Sequence, residues 1–192
     1  DLNNDGSMDE SDQYGLVTSN VQSYFLMIGF GVKTTELDKD GIPSLTLKSE
    51  KLYDAIERAT KINNDFEISI SGSKFHEDWG GTLDPAFSSG RALFYNGGLN
   101  RVTLFRAMET DFGILPMPKY DEAQESYYNM VSLSCSDTII IPKSASDLER
   151  TGAIIEALSA DGYYTLKPAY YETVLKGKSV RDDESSEMLD II

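Results

Sequence analysis

The chain has 192 residues, with 17 Lys and Arg against 32 Asp and Glu, a formal net charge of −15. No basic run exists to neutralise phosphate, which argues against nucleic acid or an anionic membrane surface as a partner. The length suits one large domain or two small ones. No stretch is apolar for long enough to span a bilayer, and no signal peptide opens the sequence. Cys135 is the one cysteine, so an internal disulfide is excluded, and its apolar run makes it read as a small buried hydrophobe.

The chain opens on an acidic loop. Asp1, Asn3, Asp5, Gly6, Ser7, Asp9 and Asp12 follow the spacing D-x-N-x-D-G-x-x-D-x-x-D. Calcium is a hard cation that takes six to eight oxygens, and short side chains at alternate positions can supply them. Gly6 would allow the sharp turn, Ser7 would offer its backbone carbonyl, and Asp12 would close the shell where a bidentate Glu is usual. An acidic, solvated lead-in without metal is the competing reading of the same residues.

Further along, Tyr24–Phe30 is apolar and reads as a strand or a buried helix end, which periodicity cannot separate. Asp38-Lys39-Asp40-Gly41 signals a turn, with Leu45–Leu47 as a short strand after it. Ser49 is placed to cap a helix whose apolar face carries Leu52, Ala55, Ile56, Ala59 and Ile62. Asp84-Pro85 starts a helix that Gly90 stops, and Ala92–Tyr95 reads as a strand. Asn100–Met108 is expected to be a short amphipathic helix with Val102, Phe105 and Met108 on one side. The apolar run from Phe112 reads as a strand that leaves its sheet at Pro116 and Pro118, along a path stiffened by both prolines. Ser132–Ile141 supplies strand material, and Ser146 with Glu149 forms a capping box before Leu148, Ile155 and Leu158. No internal repeat or low-complexity linker is present.

Carbohydrate recognition asks for aromatic faces rimmed by hydrogen-bonding side chains, and the chain has 11 Tyr, 8 Phe and 1 Trp. Phe75–Gly81 sets Trp79 among polar residues and glycines, with Glu77 and Asp78 beside it, so exposure of the indole in a cleft is expected. Tyr95 and Asn96 end a predicted strand before Gly97-Gly98, where α/β ligand clefts form. In each case a tight glycine turn over a packed aromatic is the bland alternative. The pairs Tyr127-Tyr128, Tyr163-Tyr164 and Tyr170-Tyr171 are expected to place one ring inside and one outside. His76 is the only histidine, so no zinc site built on several histidines can form within the chain. Two adjacent carboxylates on one loop suit a glycosidase poorly, because acid and nucleophile must face each other across the bond.

Several segments in order resemble the carbohydrate-type (family 1) extracellular solute-binding proteins of ABC transporters. They are residues 1–16 at the entry to the second lobe, 112–128 at the crossover, and 141–159, 168–178 and 181–192 in the late helices. The resemblance implies an α/β fold, a periplasmic-binding-protein-like type II lobe with a mixed sheet flanked by helices. Residues 1–192 would be a fragment, mainly the second lobe, with residues 112–120 as the inter-lobe crossover. A secretion signal, a lipid anchor and most of the first lobe would lie upstream, placing the protein at the cell surface. The implied function is non-catalytic capture of a carbohydrate, an oligosaccharide, by a monomer that delivers it to a membrane permease. Trp79, Glu77, Asp78, Tyr95 and Asn96 are the expected ligand contacts. Two other functions stay open: a glycoside hydrolase fragment using Glu77 or Asp78, and a calcium-dependent adhesion module centred on the acidic loop.

Overall fold

A computed structural model describes residues 1–71, 83–131, 138–180 and 182–192. It is an α/β protein: a small parallel sheet flanked by helices, with a separate hairpin. Strand β1 (Tyr14–Thr18) forms the centre, β4 (Ser69–Ser71) and β5 (Ala92–Tyr95) lie on either side, and all three are parallel. The hairpin is β2 (Thr35–Leu37) against β3 (Pro43–Leu45). Its turn follows from Asp38, whose carboxylate accepts the amides of Asp40 and Ile42 at 2.9 Å each, with Gly41 at φ +77°. The third strand therefore sits earlier than the expected Leu45–Leu47.

Chain order explains how the sheet is dressed. From β1 the chain runs through helix α1 (Asn20–Gly29), the hairpin and helix α2 (Glu50–Asn64) to β4 at one edge. It then returns through helix α3 (Leu83–Ser88) to β5 at the opposite edge. Parallel strands are joined by right-handed crossovers, so steps in opposite directions put the connecting helices on opposite faces. The apolar Tyr24–Phe30 run is thus resolved as helix: it lies almost wholly within α1.

Local chemistry sets several boundaries. Ser49 caps α2, its Oγ accepting the Leu52 amide at 3.2 Å. The buried face of α2 is Leu52, Ala55 and Ala59, while Ile56 and Ile62 stay exposed. Helix α4 (Asn100–Leu104) tightens into a 3₁₀ turn at Phe105–Ala107 and buries Val102 and Phe105. Helix α5 (Leu148–Asp161) is capped by Asp147, which accepts the Arg150 amide at 2.9 Å, one residue later than the Ser146 box predicts. Wide π-helical turns follow at Gly162–Leu166 and Ala169–Ser179. Helix α6 (Asp183–Ile191) closes the chain, capped by Asp182. The run from Phe112 joins no ladder, against expectation; of the expected strand material at Ser132–Ile141, residues 132–137 lie outside the described residues and 138–141 form no strand.

Three apolar clusters hold this together. Tyr14, Val17, Ile70, Leu83 and Ala86 lie between the sheet and α3. Phe30, Val32, Leu52 and Ala55 join α1 to α2. Val102, Ile114, Leu175 and Leu189 bring α4, the run from Phe112 and the last helices into contact. Ser185 stitches the third cluster, its Oγ accepting the buried Ile114 amide at 2.8 Å. Among the described residues, none between Ile114 and Leu175 is buried. Tyr127 and Tyr128 are both exposed, as are Tyr163 and Tyr164, so the expected one-in, one-out arrangement fails at both pairs. Tyr171 does tuck against the third cluster. No helix among the described residues is long and apolar enough to cross a membrane.

Candidate functional site

In an open parallel sheet, ligands bind beyond the carboxyl ends of the strands, where the direction of chain connection switches. Here the order β4-β1-β5 places the switch between β1 and β5. Thr18, Ser19 and Gln22 approach it from β1 and the first turn of α1; Asn96, Gly97 and Gly98 approach it from β5. Asn96 is fixed at both ends: its amide donates to the Val17 carbonyl at 2.9 Å, and its Nδ2 to the Gln22 carbonyl at 3.4 Å. Ser19 sits at the N-cap of α1 but makes no side-chain cap bond. Its Oγ and the Oε1 of Gln22 are buried and have no hydrogen-bond partner. A buried polar atom without a partner costs about 1–3 kcal/mol, so these two atoms next to the switch point mark where a water or a ligand group could be held.

Tyr95, predicted to touch ligand, is committed elsewhere by its hydroxyl. The phenol donates to Asp84 at 2.6 Å, and Arg101 pairs with the other oxygen of Asp84 at 2.7 Å. The Tyr95 ring packs against Phe87 and Phe105, with centroids 5.4 and 4.9 Å away. Tyr95 is therefore a wall that holds Asn96 in position, set by an ion pair that joins the starts of α3 and α4. Gly97 must be glycine, because a Cβ there would lie 2.3 Å from the Tyr95 ring. Glu77, Asp78 and Trp79 lie outside the described residues, as do His76 and Cys135.

Ser19 and Gln22 are the functional candidates that sequence reasoning missed. Neither belongs to a motif, and their signal is purely positional: they follow the central strand directly. A larger groove of about 780 Å³ runs beside the open edge of β5, between that strand and residues 110–115. Its walls are mainly aromatic and aliphatic, including Leu93, Phe94, Phe105 and Phe112. It overlaps the switch point only at Gly97 and Gly98.

The acidic loop folds back on itself. Asp1 accepts the Gly6 amide at 2.9 Å, and Asp5 accepts the amide and hydroxyl of Ser7 at 2.8 Å each. Asn4 and Gly6, with φ of +58° and +86°, make the turns. Asp9 takes Ser11, and the buried Asp12 accepts the amides of Leu2 and Asp9 at 2.7 and 2.8 Å. These bonds hold the carboxyl of Asp12 below the usual carboxylate range, the Asp9 amide first and the Leu2 amide second. The carboxyl of Asp5 is lowered likewise, chiefly by Ser7. Oxygen-rich chemistry suits calcium, yet among the described residues no three acidic, His or Cys side chains converge on a common point. The loop's carboxylates are turned to its own amides, so metal binding there would require them to reorient. Compared with known proteins, the chain matches no family model, no curated protein and no solved structure.

Proposed function

We propose that this chain is one lobe of a two-lobed, carbohydrate-type extracellular solute-binding protein, which captures an oligosaccharide without catalysis and hands it to an ABC permease. In this reading the fold is a type II periplasmic-binding-protein-like lobe, and residues 112–120 carry the chain toward its partner lobe. The observation that carries the reading is the crevice between β1 and β5. Its described lining is neutral and polar, and the buried Ser19 Oγ and Gln22 Oε1 lack partners that sugar hydroxyls would provide. Helix α5 supports the two-lobe part: Ile154 and Leu158 are 52% and 61% exposed on a stripe that also contains Leu148, Thr151 and Ile155. Such a stripe ordinarily lies against another layer.

A ligand bound across two lobes would make contacts only in the closed state and so shift the protein toward closure. The test is a thermal-shift screen of the two-lobed protein against a panel of oligosaccharides, followed by product analysis. Ligand that binds only the folded state raises the melting temperature. A shift with one glycan, no hydrolysis product, and loss of the shift in Ser19→Ala/Gln22→Ala supports the proposal. A hydrolysed glycan would move the function to a glycosidase instead. A shift retained in full by the double variant would move the site away from the crevice.

Calcium at Asp1, Asn3, Asp5, Ser7, Asp9 and Asp12 is a second proposal, supported by the calcium-loop spacing of these oxygen-bearing residues around Gly6. Calcium alone should then raise the melting temperature, and Asp5→Asn should remove that increase. A calcium effect without any glycan effect would favour an adhesion module.

A further inference from the structure

Residues 117–129 do not simply travel outward from the Pro116–Pro118 step. The Met117 amide donates to the Asn129 side-chain carbonyl at 3.3 Å, so the two ends of the loop meet. Loops whose ends meet and whose own side chains fill them form compact units. Gln124 is the internal tie: its Oε1 accepts the Tyr120 amide at 3.1 Å, and its Nε2 donates to the Ser126 carbonyl at 2.8 Å. The same Nε2 also donates to the Gly29 carbonyl at 2.9 Å, at the end of α1.

A second attachment reaches α2. Tyr120 donates its hydroxyl to Asp54 at 2.6 Å, and its ring meets Phe30 edge-on at 6.0 Å. The Arg58 guanidinium lies 4.3 Å and the Lys51 ammonium 5.0 Å from the ring centre. Arg58 also pairs with Asp54 at 2.7 Å, so cation, phenol and carboxylate form one network. Backbone fit adds a third attachment. A Cβ at Gly29 would stand 2.7 Å from the Met117 Cβ, and one at Gly31 would stand 3.1 Å from the Tyr128 ring.

We propose that residues 117–129 are a clasp that makes the Pro116–Pro118 step one rigid body with α1 and α2, so that the step is not a pivot. Three attachments from distant parts of the chain must open together before this segment can swing. The Tyr120 network is partly exposed and screened by salt, whereas the Gln124–Gly29 bond joins neutral groups and is less affected. The inference does not depend on which ligand the crevice holds.

Hydrogen exchange on the whole chain tests it, read at the amides of Met117, Tyr120 and Gln124. These should exchange within about tenfold of the α2 amides, because they would open only with that unit. Gln124→Ala should speed exchange at Tyr120 by about a hundredfold or more while α2 keeps its protection. Tyr120→Phe keeps the ring and loses one bond, so it should speed the same amides by about tenfold. Exchange of all three amides at free-chain rates in the unaltered protein, with α1 and α2 still protected, would overturn the proposal. So would full protection surviving in both variants.

Discussion

Helices α2 and α5 have similar lengths and each carries apolar residues at helical spacing, more sharply segregated on one face in α2, yet they end in opposite situations. In α2, Leu52, Ala55 and Ala59 are buried, with Leu52 and Ala55 packed in one cluster with Phe30 and Val32 of the α1 end. In α5 no residue is buried, and Leu148, Ile154 and Leu158 face outward. Periodicity states that a helix has an apolar face; it does not state whether anything in the same chain covers it. Covering one such Leu or Ile side chain contributes about 1.5–3 kcal/mol, so the α5 face is a reservoir of unused binding energy. Among the described residues, the buried core lies in the segments up to Ile114 and from Leu175 onward, and none between them is buried.

The sharpest way to break that comparison is a pair of truncations. Ile70→Ala, at a fully buried position, should cost about 2–5 kcal/mol in denaturant unfolding, and Ile154→Ala should stay within about 0.5 kcal/mol. Comparable losses would mean that α5 has a partner after all. Gly29→Ala should cost about 1–3 kcal/mol, because Met117 and Pro118 occupy the space the methyl needs. Gly152→Ala, in α5 with nothing within 4 Å of the new Cβ, should instead stabilise by about 0.4–1 kcal/mol. Opposite signs at two helical glycines would confirm which helix is packed. Ser185→Ala orphans the buried Ile114 amide and should cost about 1–3 kcal/mol, measured in the same melts.

Acid and alkali should sharpen the picture from the chain ends. Asp12 and Asp5 have folded pKa values below their unfolded ones. Their stabilisation is therefore complete above the unfolded carboxylate value, about 3.9, and is lost as pH falls through the folded values. Asp12→Asn should flatten the acid limb of a stability-versus-pH curve. Lys176 is raised, chiefly by Asp190, so its contribution is present below the unfolded lysine value, about 10.4, and disappears as pH rises through the folded one. An acid limb unchanged by Asp12→Asn would show that the opening loop does not contribute to folding.

One strand of the sheet and several of its neighbours were legible in the sequence, whereas β1 and β4 were not read as strands. Ala92–Tyr95, the Ser49 cap, the Asp38–Gly41 turn and the Asp84–Gly90 helix limits all rest on chemistry within a few residues. The candidate site was legible only in part. Asn96 was found because it ends a predicted strand, whereas Ser19 and Gln22 have no local signature. Tyr95 was chosen for its ring, but its hydroxyl role depends on Asp84 and Arg101, which only folding brings to it.

Local sequence thus determined β5, the Asp38–Gly41 turn and the Ser49 cap, because those choices depend on backbone preferences and hydrogen bonds across a few residues. Only the tertiary structure decided that β1 lies between β4 and β5, since strand order depends on crossovers spanning tens of residues. The same is true of the clasp, where Gln124 meets Gly29 and Tyr120 meets Asp54. Whether an apolar face is buried is likewise a property of what lies opposite it. That is why α2 and α5, each with apolar residues at helical spacing, came to differ in what covers them.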